Sequence, residues 1–213
     1  MYAIANIRGG SEYGDAWHQA AMRTGRQRAY DDFYACAKFL IDEHYTNPDR
    51  LAIEGGSNGG LLMGVELTQH PELFRAVVSH VGIYDMLRSE LSANGTFNIP
   101  EFGTVTKPDE FKALYAYSPL HHVTDGTKYP AVLLLTGVND GRVDPSNSYK
   151  MAARLQAVQP TGKPILLRVS FESGHGIGES LNEEISQAAD VYAFLFEELG
   201  MNQQIAKSNS PKR

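Results

Sequence analysis

Apolar positions along the chain follow two periods in turn. Short, nearly unbroken apolar runs recur at residues 2–7, 50–54, 76–81, 131–136 and 165–171, as expected for strands covered on both faces of a parallel sheet. Between them the spacing changes to three and four. Phe33, Cys36, Ala37, Leu40 and Ile41 predict a helix over 31–44, stopped by Asn47-Pro48-Asp49. Leu61, Leu62, Met63, Val65 and Leu67 predict a buried helix over 59–70, and 145–159 predicts another, with Pro145 in its first turn. The closing helix is expected over 179–199, with Leu181, Ile185, Ala188, Val191, Phe194 and Leu195 on one face. Strands alternating with helices imply an α/β fold, a mainly parallel sheet of about five strands with helices on both faces. Residues 1–200 read as one domain and 201–213 as a polar tail. Residues 84–119 interrupt the alternation with Gly95, Pro100, Gly103 and Pro108. An insertion of that length beside a strand's carboxyl end is expected to form part of a site.

The alternation gives chemical meaning to one pentapeptide. Gly55-Gly56-Ser57-Asn58-Gly59 satisfies G-x-S-x-G, with a predicted strand entering it and a predicted helix leaving it. That is the context of a nucleophile elbow, in which a tight turn lifts a serine hydroxyl above the sheet. The pentapeptide alone also fits a glycine-rich turn with an incidental serine; the two flanks favour the elbow. A serine nucleophile needs a base and an orienting carboxylate, in the chain order Ser, Asp, His for this architecture. Asp140 follows the strand 131–136 by a few residues, and His175, set between Gly174 and Gly176, follows the strand 165–171. Both therefore fall on loops at the edge of the sheet that Ser57 would occupy. Asp144 precedes Pro145 and reads as a helix cap. Asp85, just after the third strand, is an alternative acid, and Glu172 is too near His175 in sequence to orient it. His18, His44, His70, His80, His121 and His122 read as surface or loop residues, and Cys36 as helix packing.

Bulk properties narrow the function further. The chain has 213 residues, 42% hydrophobic, and a net charge of −6, so a broad nucleic-acid-binding face is not expected. Seven histidines occur without HExxH, CxxC or His-x-His spacing, so no metal is expected. The single cysteine excludes an internal disulfide and fits a reducing, cytoplasmic setting. No run of about 20 apolar residues suggests a membrane span, and the first residues do not read as a signal peptide.

Taken in order, ANIRGGSEYGDAWHQA, YDDF, GGSNGGLL, YSPLHHV, NDGRVDP and SGHGIG resemble the catalytic domain of the prolyl oligopeptidase family, over nearly the whole chain. The resemblance implies an α/β-hydrolase fold with Ser57 as nucleophile, Asp140 as acid and His175 as base, and no cofactor. It also implies that the Asn58 backbone N–H faces the oxyanion and that Arg142 holds a substrate carbonyl. Two departures stand out. The family's β-propeller and first hydrolase strands have no counterpart in these residues, including the tyrosine that supplies a second oxyanion donor. Where the family carries a proline-stacking tryptophan, an ungapped count gives Asn98, leaving Phe97, Phe102 and Val143 as candidate walls. The substrate is then expected to be a small ester or peptide, with short esters favoured because they need less oxyanion help. Alternatives are an oligopeptidase whose propeller part lies outside this chain, and a non-catalytic binding or assembly remnant. An uncovered sheet edge further predicts a homo-oligomer or strand exchange.

Overall fold

A computed structural model of the chain describes residues 1–176 and 180–201. Of the expected features, Glu179 at the start of the last helix, Ile177 and Gly178 of the SGHGIG motif, and tail residues 202–213 lie outside the described residues. Four parallel strands form the sheet: β1 (Ala52–Gly56), β2 (Ala76–His80), β3 (Ala131–Gly137) and β4 (Ile165–Ser170), in spatial order β1-β2-β3-β4. Parallel neighbours require crossovers. These pass through α3 (Asn58–Gln69), the irregular region after β2, and α7 (Ser146–Val158), with α8 (Leu181–Glu198) following β4. Ahead of β1 lie α1 (Asp15–Gln19) and α2 (Gln27–Asp42). The region after β2 folds into short helices, among them α4 (Ile99–Phe102), α5 (Pro108–Tyr117) and α6 (Pro119–His122).

Helices cover both faces, as the apolar strands require. On one face Ile53, Val77, Val132 and Leu134 pack against Met63 and Leu67 of α3 and Met151 and Leu155 of α7. On the other, Val78, Leu133 and Leu135 meet Val191 and Phe194 of α8. β3 is buried along its whole length, which is why its sequence is uniformly apolar rather than alternating.

Three expectations are corrected. Residues 2–7 form no strand: Tyr2 and Ile4 are exposed, and β1 is an edge of the sheet. An apolar run becomes a strand only where it pairs with a neighbouring ladder, and residues 2–7 do not pair with that edge. Here the segment is instead tied at its end, where Trp17 Nε1 donates to the Ile7 carbonyl at 2.9 Å and Arg8 grips Asp32. Cys36 is exposed, because the buried face of α2 is set by Ala29, Tyr30 and Ala37. Leu181 and Ile185 are also exposed, since α8 packs apolar side chains on the sheet only through its second half, its first half meeting β4 through Arg168, which donates to Glu183 and Ser186.

Candidate active site

Ser57 stands between β1 and α3 with φ 58° and ψ −115°, a conformation that costs a non-glycine residue about 1–3 kcal/mol. The surroundings hold it there. Its N–H donates to the His80 carbonyl at 2.8 Å, and its own carbonyl accepts from Leu61 N–H at 3.0 Å. The glycines around it are not equivalent. A Cβ on Gly55 would lie 2.6 Å from the Gly59 carbonyl oxygen, and one on Gly60 would lie 2.6 Å from Gly82 Cα. A Cβ on Gly59 would meet nothing within 4 Å. The close approach of strand, helix and the turn after β2 therefore depends on Gly55 and Gly60, and Gly59 contributes its backbone alone.

The three residues singled out from the sequence come together. His175 Nδ1 lies 2.7 Å from Asp140 Oδ2, and His175 Nε2 lies 2.9 Å from Ser57 Oγ. A carboxylate can only accept, so Nδ1 carries the proton and Nε2 is left to accept from the serine hydroxyl. The Asp140 side chain is fully buried, and its other oxygen accepts from the backbone N–H groups of Arg142 and Val143 at 2.9 and 2.8 Å. Those bonds fix the carboxylate before any substrate arrives. The alternative acid, Asp85, is buried and faces other cations, 3.5 Å from Arg88 and 4.0 Å from both His121 and Lys150. Asp144 caps its helix as expected, accepting from Ser146 N–H at 2.8 Å.

Two clefts flank Ser57. One, of about 130 Å³, is lined by Ile83, Asn98, Phe102, Val143 and Arg142 together with Asn58 and Glu101. The other, of about 370 Å³, is lined by His80, Thr136, Ser173, His175 and Gln187, and again by Arg142. The 84–119 region thus contributes Asn98, Glu101 and Phe102 to the smaller cleft, while Phe97 lines neither cleft and is 82% exposed. Among the described residues the Arg142 side chain has no ion-pair partner. Asn58 opens α3, so its N–H belongs to the helix's unsatisfied first turn, where developing negative charge is favoured. Sequence reasoning missed Glu101, Ile83 and Arg26, and took His18 for a simple surface residue. His18 Nε2 meets Glu101 Oε2 at 2.8 Å, 83 residues away. Among the described residues no cluster of His, Cys, Asp or Glu could hold a metal ion, and no helix is long and apolar enough to cross a membrane.

Comparison with known proteins gives a consistent result. The family model described as the prolyl oligopeptidase family matches residues 1–202. A prolyl endopeptidase of Dictyostelium discoideum is 45% identical over 197 residues, covering 91% of this chain and 26% of that protein. Among solved structures, a prolyl endopeptidase superposes with a TM-score of 0.89 at 46% identity, covering 92% of this chain and 29% of that one. Prolyl oligopeptidase B of Galerina marginata, bound to a 35-residue hydrolysis and macrocyclization substrate, superposes with a TM-score of 0.87 at 36% identity, covering 91% and 28%. The chain thus spans between a quarter and a third of the length of the relatives it matches.

Proposed function

The chain belongs to the prolyl oligopeptidase family, and from that premise we propose that it is a serine peptidase working through an acyl-Ser57 intermediate. The observation that carries this reading is the continuous hydrogen-bonded chain from Asp140 through His175 to Ser57 on a strained elbow. In the reaction His175 Nε2 takes the Ser57 proton as Oγ attacks a peptide carbonyl. The oxyanion forms against the Asn58 N–H. His175 then returns the proton to the leaving amine, and water releases the acyl group by the same route. His175 lines only the larger cleft, so the leaving amine departs on that side. The acyl side then occupies the smaller cleft, whose walls Ile83, Phe102 and Val143 suit proline or another small apolar residue. Arg142, open to both clefts, is the cation for a substrate carbonyl.

Peptides, rather than short esters, are the substrates this reading favours, because the relatives carry the names of prolyl endopeptidases and oligopeptidases. A non-catalytic remnant is disfavoured by the intact hydrogen-bonded chain. The open edge of β1 supports self-association as an accompanying reading, since an unpaired strand is a template for another. The test is release of p-nitroaniline from a blocked Gly-Pro-p-nitroanilide by the wild type and by Ser57→Ala. Loss of activity in the variant is expected; equal rates would overturn the proposal.

A further inference from the structure

Arg26 lies at the start of α2 and is 4% exposed; among the described residues no other lysine or arginine is buried. Burying a guanidinium is costly unless its donors are used. Nη1 donates to Glu101 Oε1 at 2.6 Å and Nη2 to Asn58 Oδ1 at 2.5 Å. Its Cζ stands 4.9 Å from the centre of the Phe102 ring, within cation–π range. Asn58 is far in sequence from the adjacent pair Glu101 and Phe102, yet all three line the smaller cleft beside Ser57. One buried cation therefore braces the helix that follows the nucleophile and the inserted segment that walls the cleft.

The bond to Asn58 has a further chemical consequence. A guanidinium has donors and no acceptor, so it faces the carboxamide oxygen and not the nitrogen. This fixes which way the amide is turned. The Nδ2 group has no acceptor among the described hydrogen bonds, and Asn58 is an exposed residue on the wall of the cleft. We infer that Arg26 is a positioning residue for the proposed hydrolysis: by holding the Asn58 carboxamide in one orientation, it presents Nδ2 as a donor to a backbone carbonyl of the bound peptide. This inference rests on the serine-peptidase reading. It gives Asn58 two donors, one on the backbone and one on the side chain.

The experiment is a double-mutant cycle with Arg26→Lys, Asn58→Ala and the double variant, assayed on the Gly-Pro-p-nitroanilide. Rates are expressed per serine titrated with a fluorophosphonate, which separates turnover from loss of folded protein. Lysine supplies one point charge and cannot engage Glu101 and Asn58 in the same fork. Arg26→Lys should lower kcat/KM about 10-fold, the worth of one ordinary hydrogen bond, and Asn58→Ala by at least as much. The double variant should match Asn58→Ala within about twofold, because Arg26 acts through the residue already removed. Multiplying losses, or an undiminished Arg26→Lys, would overturn the inference while leaving the peptidase reading intact. A wild-type rate equal to that of Ser57→Ala would overturn both. Asn58 is exposed, so Asn58→Ala is expected to fold; full activity in that variant overturns the inference even where Arg26→Lys does not fold.

Discussion

Glu66 sits in α3, nine residues beyond the nucleophile, and is completely buried with neither carboxylate oxygen hydrogen-bonded among the described residues. Burial, with a smaller contribution from Asp31, pushes its pKa from an ordinary 4.5 up to about 8. Replacing it by glutamine removes the titration and nearly preserves the shape. In the unfolded chain the carboxyl loses its proton near pH 4.5, whereas in the fold it keeps it to about pH 8. The fold is therefore favoured least where the unfolded carboxyl is ionised. The group's contribution is fully present below pH 4.5, lost progressively as the pH rises to about 8, and flat above. At about 1.4 kcal/mol per pKa unit, the penalty is on the order of 1 kcal/mol at pH 5, 3 at pH 7 and 4–5 at pH 9. For a chain of this size about 1 kcal/mol moves Tm by about 2–4 °C, so Glu66→Gln should gain about 5 °C more over the wild type at pH 7 than at pH 5. Calorimetry of both proteins at pH 5, 6, 7 and 8 reads the difference directly, and other titrating groups cancel in it. Glu66→Leu controls for the amide. A difference in Tm that stays constant across this range would refute the reasoning.

Other expectations follow from the elbow and the sheet edge. Gly60→Ala places a methyl against Gly82 Cα and the His80 carbonyl and should cost about 1–3 kcal/mol in urea unfolding. Gly59→Ala, with open space around it, should be neutral or stabilise by up to about 1 kcal/mol. Asp140→Asn keeps the shape of the acid but alters the tautomer demanded of His175, and should lower kcat about 10⁴-fold in the nitroanilide assay with little change in Tm. Light scattering after size exclusion should give a mass above one chain if the β1 edge pairs; a monomer at all concentrations counts against it.

Most of the scaffold could be read locally. Strands β1 to β4 and helices α2, α3, α7 and α8 follow from apolar runs and three-four spacing, because each buries its own face against a neighbour, whereas helices α4, α5 and α6 lie in the segment read as irregular. Ser57, Asp140 and His175 were legible for a related reason: each lies just beyond a strand whose end brings it to the same edge. What escaped were features decided by distant partners. Residues 2–7 have a strand's composition but do not pair with the open β1 edge. The face of α8 was assigned too broadly because its period cannot tell that its first half meets β4 at the charged Arg168 and not at an apolar side chain. The Arg26–Glu101 pair joins positions 75 residues apart, and no local pattern marks either residue.

The loop after β3 does three things within four residues. Asp140 orients His175, while the N–H groups of Arg142 and Val143 clamp the aspartate and their side chains border the substrate clefts. On the proposed reading, recognition and proton handling share one piece of backbone. Variation in this loop, whether by natural drift or directed evolution, cannot retune the substrate wall by shifting the chain without also disturbing the base. Within 94–102, Asn94 donates to the Gly141 carbonyl of that loop and Glu101 pairs with Arg26, whereas Asn98 borders the smaller cleft with no side-chain hydrogen bond to either among the described residues. New specificities should therefore accumulate at Asn98, with the loop after β3 changing in side chain but not in length.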